Sequence, residues 1–222
     1  MECQSDEPII EENEDRISRS DELCLNESDN DTNIVTSRLT LRKPHWDDID
    51  AISILANNTA VSKILSRMPY PYTRADVEEF VNKIAKFENG NSVYAITITK
   101  TGEFIGCCGI EKKNGQDHTD IGYWLGEPHW GHGYGTEAAH ALVDKAFKSD
   151  GIESINASCR FGNIASRKVL QKSGFQFFGT GMNFCLAQND QVPIELYRLE
   201  RKVWASLKNW REKCETDQTI EK

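Results

Sequence analysis

No apolar run in this chain approaches the ~18 residues that a helical membrane span needs, so no membrane partner is expected. The opening residues MECQSDEPII have neither a basic segment nor an apolar core, and so do not read as a secretory signal. Basic blocks are also missing, which removes a nucleic-acid surface from the expected functions. Seven cysteines (Cys3, Cys24, Cys107, Cys108, Cys159, Cys185, Cys214) form an odd set without framework spacing. They read as reduced thiols in a cytoplasmic protein. Aromatic residues are absent from residues 1–33, where twelve acids face only Arg16 and Arg19. Such a segment buries too little apolar surface to offset its ordering entropy and is expected to be a disordered acidic tail. The net charge of -9 therefore belongs to the tail, because the rest carries 23 acids and 24 bases.

What is present is one body, expected over residues 34–210, with a C-terminal tail over 211–222. The alternating run VTSRLTLRK (35–43) predicts a strand. In HWDDIDAISILANN the spacing predicts a helix with Trp46, Ile49, Ile52 and Leu55 on one side. Thr73 with Asp76 three residues on forms a capping-box pattern for a helix running to about Glu88 and ending at Asn89-Gly90. SVYAITIT (92–99) and FIGCCGI predict a hairpin, NGQDH a turn, and TDIGYWL (119–125) a third strand. A helix follows at about 134–149, a strand at 151–159, and a short helix at 164–173 capped by Asn163. FQFFGTGMNFCLA and VPIELYRLERKVW read as a closing hairpin. Three consecutive strands between helices argue against a purely parallel sheet. The expected class is α/β (α+β), a mixed sheet with helices on both faces.

Five glycines fall within IGYWLGEPHWGHGYG, between a strand and a helix. Glycine is used where a backbone bends unusually or approaches something closely. Unpaired N–H groups and the dipole at a helix start make an anion site there. Several readings compete. The Walker spacing finds Gly126 and Gly131, but His132-Gly133 replace the required Lys-Ser/Thr, which excludes it. Gly133, Gly135 and Ala138 match a dinucleotide fingerprint, with Glu153 as a ribose acid, although no βαβ repeat surrounds them. A ligand-free connection is the plain alternative. His118, His129 and His132 with Cys107 and Cys108 lack a ligand spacing, so no metal is expected.

The stretch DIGYWLGEPHWGHGYGTEA closely resembles the pyrophosphate-loop segment of the GCN5-related N-acetyltransferases (GNAT), most of all the RimJ/RimL-like group that acetylates ribosomal-protein N-termini. SRLTLRKPHWDDIDAI, GEFIGCCGI, NIASRKVLQKSGF and ELYRLERKVW resemble further family segments in the same order, so the likeness covers about residues 36–204. It implies a GNAT fold with a mixed central sheet of about seven strands, splayed at the cofactor site. It implies acetyl-CoA as co-substrate, without a metal. Trp130, Gly131, His132, Gly133, Tyr134, Gly135 and Thr136 would then wrap the pyrophosphate, with Trp130 departing from the usual Arg or Gln. Tyr123 and Leu125 would lie beside the acetyl group, and Asn163 would bond the pantetheine arm. Leu170 stands where many members carry an acidic tyrosine. Ser166 matches the serine given that role in the RimJ/RimL-like group, and the group's acidic base aligns near Cys185, so it is missing.

An α-amine, with a pKa of about 7.7–8, is partly neutral at pH 7, whereas a lysine at about 10.4 is almost wholly charged. A site without a strong base therefore favours an α-amine, a protein N-terminus among the candidates. Asp120 and Glu103 are candidates for proton removal through water. Small amines (amino acid, polyamine or antibiotic) and a non-catalytic acyl-CoA-binding module stay as alternatives. Ser166 and Asn163 could instead serve only the helix start, and Cys159 or Cys185 could act as a nucleophile.

Overall fold

A computed structural model of the protein describes residues 33–85, 91–112, 118–148 and 151–220. Nearly all of the acidic leader, the Asn89-Gly90 stop and most of the NGQDH turn lie outside them. The chain from Asn33 onward builds one unit. Its strands are β1 (Ile34–Val35), β2 (Leu39–Arg42), β3 (Ser92–Ile98), β4 (Phe104–Lys112), β5 (His118–Leu125), β6 (Ser154–Arg160), β7 (Gln176–Cys185) and β8 (Asp190–Glu200). Its helices are α1 (Ile49–Ala56), α2 (Thr59–Ser62), α3 (Arg74–Ala85), α4 (Tyr134–Lys148), α5 (Ile164–Lys172) and α6 (Arg201–Ile220).

The eight strands form one mixed sheet in the order β1-β2-β3-β4-β5-β6-β8-β7. Only β5 and β6 run parallel; every other neighbouring pair is antiparallel. A doubly wound dinucleotide-binding sheet would be mostly parallel, so the architecture counts against that reading of the glycines.

Two apolar cores flank the sheet. α4 presents Ala138, Ala139, Leu142, Val143, Ala146 and Phe147 at helical spacing. Most of these pack with Leu39, Ile105, Ile121, Leu125, Ile155, Leu170 and Leu199. On the opposite face, Ile49, Ile52 and Ala56 of α1 meet Val77 and Val81 of α3 over Ala95 and Cys107. Helices thus cover both faces, as expected.

Four local readings are corrected. The run 35–43 is two strands rather than one, because Thr36 turns the chain: its N–H bonds the Leu39 carbonyl at 2.8 Å. That turn adds an eighth strand. Trp46 is 52% exposed in a short 3₁₀ turn, Trp46–Asp48, ahead of α1. The residue buried there is Asp48, whose carboxylate accepts the His45 N–H at 2.8 Å and both Arg42 Nη atoms at 2.7 and 2.8 Å. Finally, the closing strand stops at Glu200. Residues 201–220 form a helix that lays Val203 and Trp204 on the core, so a boundary at 210 would divide one helix.

Candidate functional site

The site begins where the sheet stops being a sheet. β5 and β6 pair only through His118↔Ser154, Thr119↔Ile155 and Asp120↔Asn156. Beyond that point β5 stays on β4 as far as Leu125, and β6 stays on β8 as far as Arg160. The two parallel strands therefore diverge from Ile121 and Ala157 onward, and the expected splay is present. Asp120 sits at its root, partly buried, opposite Glu111 on β4.

The gap is lined by main chain. Gly126 N–H bonds the Ile105 carbonyl on the β4 side at 2.9 Å. Alternation of the strand then turns the Leu125 peptide groups the other way, toward the gap. The Leu125 carbonyl is already taken, by the Trp130 indole Nε1–H at 2.8 Å. That bond fixes the exit of β5 relative to the loop that follows.

In this loop Gly131 and Gly133 have φ of +79° and +81°. A branched side chain at such a φ is strained. α4 starts at Tyr134, with Thr136 and Glu137 N–H both donated to the Gly133 carbonyl at 3.1 Å. Among the described residues, the N–H groups of Gly131, His132, Gly133, Tyr134 and Gly135 find no protein acceptor. Five consecutive free donors thus lie at the positive end of a 15-residue helix, an arrangement whose chemistry suits an anion.

Tyr123 and Ser166 join the loop to α5. The Tyr123 ring packs on Gly135, where an added Cβ would meet its Cε2 at 3.0 Å. Its hydroxyl reaches Ser166 Oγ at 3.3 Å. Burial raises the phenol's pKa against the opposing pull of Ser166, so it stays protonated. Asn163 caps α5 through Oδ1 to the Ser166 N–H at 3.1 Å. Arg167 then ties α5 to β8 by a two-pronged bond to buried Glu195, 2.5 and 3.0 Å. Tyr197 donates to the same carboxylate at 2.9 Å. Leu170 is 3% exposed and its side chain lies in the core.

The other side of the gap is framed from afar. Arg160 donates to the Lys63 carbonyl at 2.9 Å. Leu186 N–H bonds the Ser66 carbonyl at 3.0 Å, and Asn183 bonds Ser66 Oγ at 3.0 Å. Cys185 Sγ lies 3.3 Å from the Leu65 carbonyl. The segment 57–73 is thereby strapped to β6 and β7.

The remaining candidates separate clearly. Cys159 is buried beside Glu195; burial and that carboxylate push its thiol up to about 11, which leaves it a poor nucleophile at neutral pH. Cys107 and Cys108 are buried, and burial raises both thiols further. Glu103 lies 3.6 Å from the His129 ring. Among the described residues, no group of three or more His, Cys, Asp or Glu could hold a metal ion.

Sequence reasoning missed two residues here, Arg38 and Glu137. Glu137 Oε1 accepts Thr36 Oγ1 (2.6 Å), Ser37 Oγ (2.9 Å) and Arg38 N–H (2.8 Å), and its Oε2 accepts Arg38 Nε (2.7 Å). Burial would raise this carboxyl's pKa, but Thr36, Arg38 and Ser37 outweigh it and hold it at about 2. Only an acid in the first turn of α4, where the dipole favours one, hinted at it.

Residues 38–176 match the family described as acetyltransferase (GNAT) domain. The chain is 29% identical over 177 residues to the N-acetyltransferase p20 of Bacillus licheniformis, itself uncharacterized, covering 78% of this chain and 98% of that one. It is 26% identical over 136 residues to the ribosomal-protein-serine acetyltransferase of Escherichia coli, covering 61% and 73%. Among solved structures, RimL, a ribosomal L7/L12 alpha-N-protein acetyltransferase in complex with coenzyme A, superposes with a TM-score of 0.67 at 21% identity. That match covers 76% of this chain and 97% of that one, and shows a shared fold. The family match spans more than half of the chain, and the protein belongs to the GNAT acetyltransferases.

Proposed function

We propose, from membership of the GNAT acetyltransferases, that this protein moves an acetyl group from acetyl-CoA to the α-amine of a protein or peptide N-terminus. The observation that supports the donor half is the divergence of β5 from β6 beside five free N–H groups. A pyrophosphate fits the donors of Gly131 to Gly135 without needing a metal. An extended pantetheine arm fits a gap bordered by unpaired strand backbone and by Asn163. We assign the unit from residue 34 onward, with α6 running through to Ile220, as the catalytic domain, and 1–33 as lying outside it.

Acetyl-CoA supplies the activated acyl group. The protein's part is mostly placement, which can account for much of the rate. The Leu125 N–H, turned toward the gap, stabilises charge developing on an acyl oxygen. Ser166 Oγ donates a hydrogen bond to a departing thiolate, with Tyr123 hydroxyl behind it at 3.3 Å. Asp120, at the root of the gap, receives the amine proton through water. Leu170 is buried and Cys185 is a thiol bound to a carbonyl, so neither stands in for the family's usual acid and base. A weak base suits an amine that is already partly neutral, which favours an α-amine over a lysine.

The acceptor half is supported by the relatives' names: the E. coli relative acts on a ribosomal protein, and RimL on a protein α-amine. A small amine as acceptor is the second reading. Free CoA release measured across N-terminal peptides, lysine peptides, amino acids and polyamines tests the choice. Turnover confined to peptides with free N-termini is the expected result. Turnover confined to polyamines or amino acids would replace the acceptor, and CoA binding without any turnover would leave a binding module.

A further inference from the structure

The phosphate loop carries no permanent positive charge of its own: Trp130 and His132 stand where a cation would serve. The fold brings one from 94 residues earlier in the chain. The turn between β1 and β2 lies against the start of α4, and Arg38 extends along the loop. Its Nε is held by Glu137 at 2.7 Å. Its Nη1 donates to the His132 carbonyl at 2.9 Å. Its guanidinium lies 4.7 Å from the centre of the Tyr134 ring, and its Nη2 is 3.4 Å from where a Cβ on Gly133 would stand.

The bond to the His132 carbonyl has a geometric consequence. In a trans peptide, the carbonyl of one residue and the N–H of the next point in opposite directions from one plane. The only cis bond in the described chain is Tyr70-Pro71. A guanidinium that fixes the His132 carbonyl therefore fixes the Gly133 N–H on the opposite side of the loop. Gly133 has little steric bias of its own to keep that orientation. Without a partner, this peptide could rotate and present its carbonyl where an N–H is wanted.

We propose that Arg38, locked by Glu137, is a positioning residue that sets the His132–Gly133 peptide with its N–H facing the bound pyrophosphate. This rests on the acetyl-CoA reading and deepens it. Glu137 is the anchor: four donors from the β1–β2 turn converge on it. Its side chain is only 14% exposed, against 47% for Arg38. Arg38 acts through the peptide, and the peptide touches the ligand.

The test compares Arg38→Met with wild type on two donors, acetyl-CoA and S-acetyl-pantetheine, which keeps the thioester but has no phosphate. A charge-assisted hydrogen bond lost from a preorganised loop should weaken CoA binding by about tenfold or more. S-acetyl-pantetheine should react with unchanged kcat/KM, since its contacts lie in the gap. Arg38→Lys, which can still reach a carbonyl, should recover part of the loss. Unchanged CoA affinity in folded Arg38→Met overturns the proposal. So does an equal loss for both donors, the signature of general damage. If Arg38→Met does not fold, Glu137→Gln is measured on the same pair of donors and must give the same split. A wild-type protein that binds no CoA removes the coenzyme from the loop altogether, and this inference with it.

Discussion

The two sides of the β5–β6 gap are built by opposite means. On the α4–α5 side, most parts come from one strand–loop–helix stretch, Tyr123, Leu125 and the loop 130–136. They are joined by Asn163 and Ser166 of the next helix and braced by one distant residue, Arg38. On the α1–α3 side, the parts come from far apart: Lys63 meets Arg160, Ser66 meets Asn183 and Leu186, Leu65 meets Cys185. A site made of one strand–loop–helix turn has its geometry written in local backbone preferences. A site made of long-range straps is set by where whole elements pack. The first is suited to a constant ligand and the second to one that differs among related proteins.

The largest expected effect falls on the first side alone. Gly133 has φ of +81°, which strains any side chain there, and a Cβ would stand in ordinary contact with Arg38 Nη2 at 3.4 Å. Backbone strain of this kind amounts to ~1–3 kcal/mol. A loop that relaxes to relieve it loses its aligned donors. Gly133→Val should weaken CoA binding by roughly 10- to 100-fold, measured by calorimetry, while the far-ultraviolet spectrum stays native. CoA bound as tightly as by wild type would take the pyrophosphate away from this loop.

Ser166→Ala sharpens the comparison on the α4–α5 side, at the start of α5. A hydrogen bond to a developing thiolate sits at the low end of acid–base contributions, so kcat should fall roughly 10- to 100-fold. The KM for acetyl-CoA should change little, because the bond is made mainly in the transition state. Tyr123→Phe, which leaves Ser166 in place, should show a smaller loss of the same kind. A raised KM with unchanged kcat would reduce Ser166 to a helix-start residue, and Asp120 would be the next residue to test.

Glu137 gives a pH signature for the anchored side. Its folded pKa, at about 2, lies below the ordinary 4.5. A depressed carboxyl contributes stability that is fully present above its unfolded pKa and is lost as pH falls through the folded one. The gap in melting temperature between wild type and Glu137→Gln should therefore be full near neutrality, about 2–8 °C for one or two lost net hydrogen bonds in a domain of this size. It should shrink between about pH 4.5 and 2. A gap that does not change with pH would mean that the charge of Glu137 contributes nothing. Asp48, on the opposite face and held below its usual range by Arg42 and His45 against the cost of burial, is the control. Asp48→Asn should destabilise the fold without separating CoA from S-acetyl-pantetheine.

What could be read in advance follows the same division. Thr73 and Asp76 do cap α3, with Thr73 N–H and Oγ1 both on the Asp76 carboxylate at 2.7 and 2.6 Å, because a capping box spans only three residues. Asn163 caps α5 for the same reason. The split of β1 from β2 was hidden, since Thr36-Ser37-Arg38 turns partly on bonds to Glu137, about a hundred residues away. α6 was hidden by the β-like run before it; its anchor, Trp204 Nε1 to Asp144 at 2.6 Å, is again distant. Gly106 sits inside an apparently ordinary strand, β4, with nothing in the sequence to mark it. A Cβ there would lie 2.1 Å from the Trp124 carbonyl, a closeness that only the paired strands reveal.

The smallest expected effect belongs to the strapped side, and it is the sharpest test of the division. Arg160 leaves the end of β6 and fixes the segment 57–73 by its bond to the Lys63 carbonyl. A second prong, Nη2 to Gln188 Oε1 at 2.7 Å, reaches the β7–β8 turn. Arg160 thus joins two segments on the strapped side of the gap, which we take as the frame of the acceptor, and it makes no hydrogen bond to the loop 130–136. Arg160→Met keeps the aliphatic stem but removes both bonds. Exposed bonds of this kind have modest net worth, so the acceptor KM should rise only about three- to tenfold, near 1 kcal/mol. Acetyl-CoA affinity should not move, because no donor in the phosphate loop has lost its support. Steady-state kinetics with a fixed peptide acceptor and varied donor, then the reverse, separates the two. A rise in donor KM equal to the rise in acceptor KM would show that the gap responds as one body, and the two sides would then have to be treated as a single site. An unchanged acceptor KM would move the acceptor away from 57–73 and the β7–β8 turn, leaving the α1–α3 surface around Trp124 as the frame to test next.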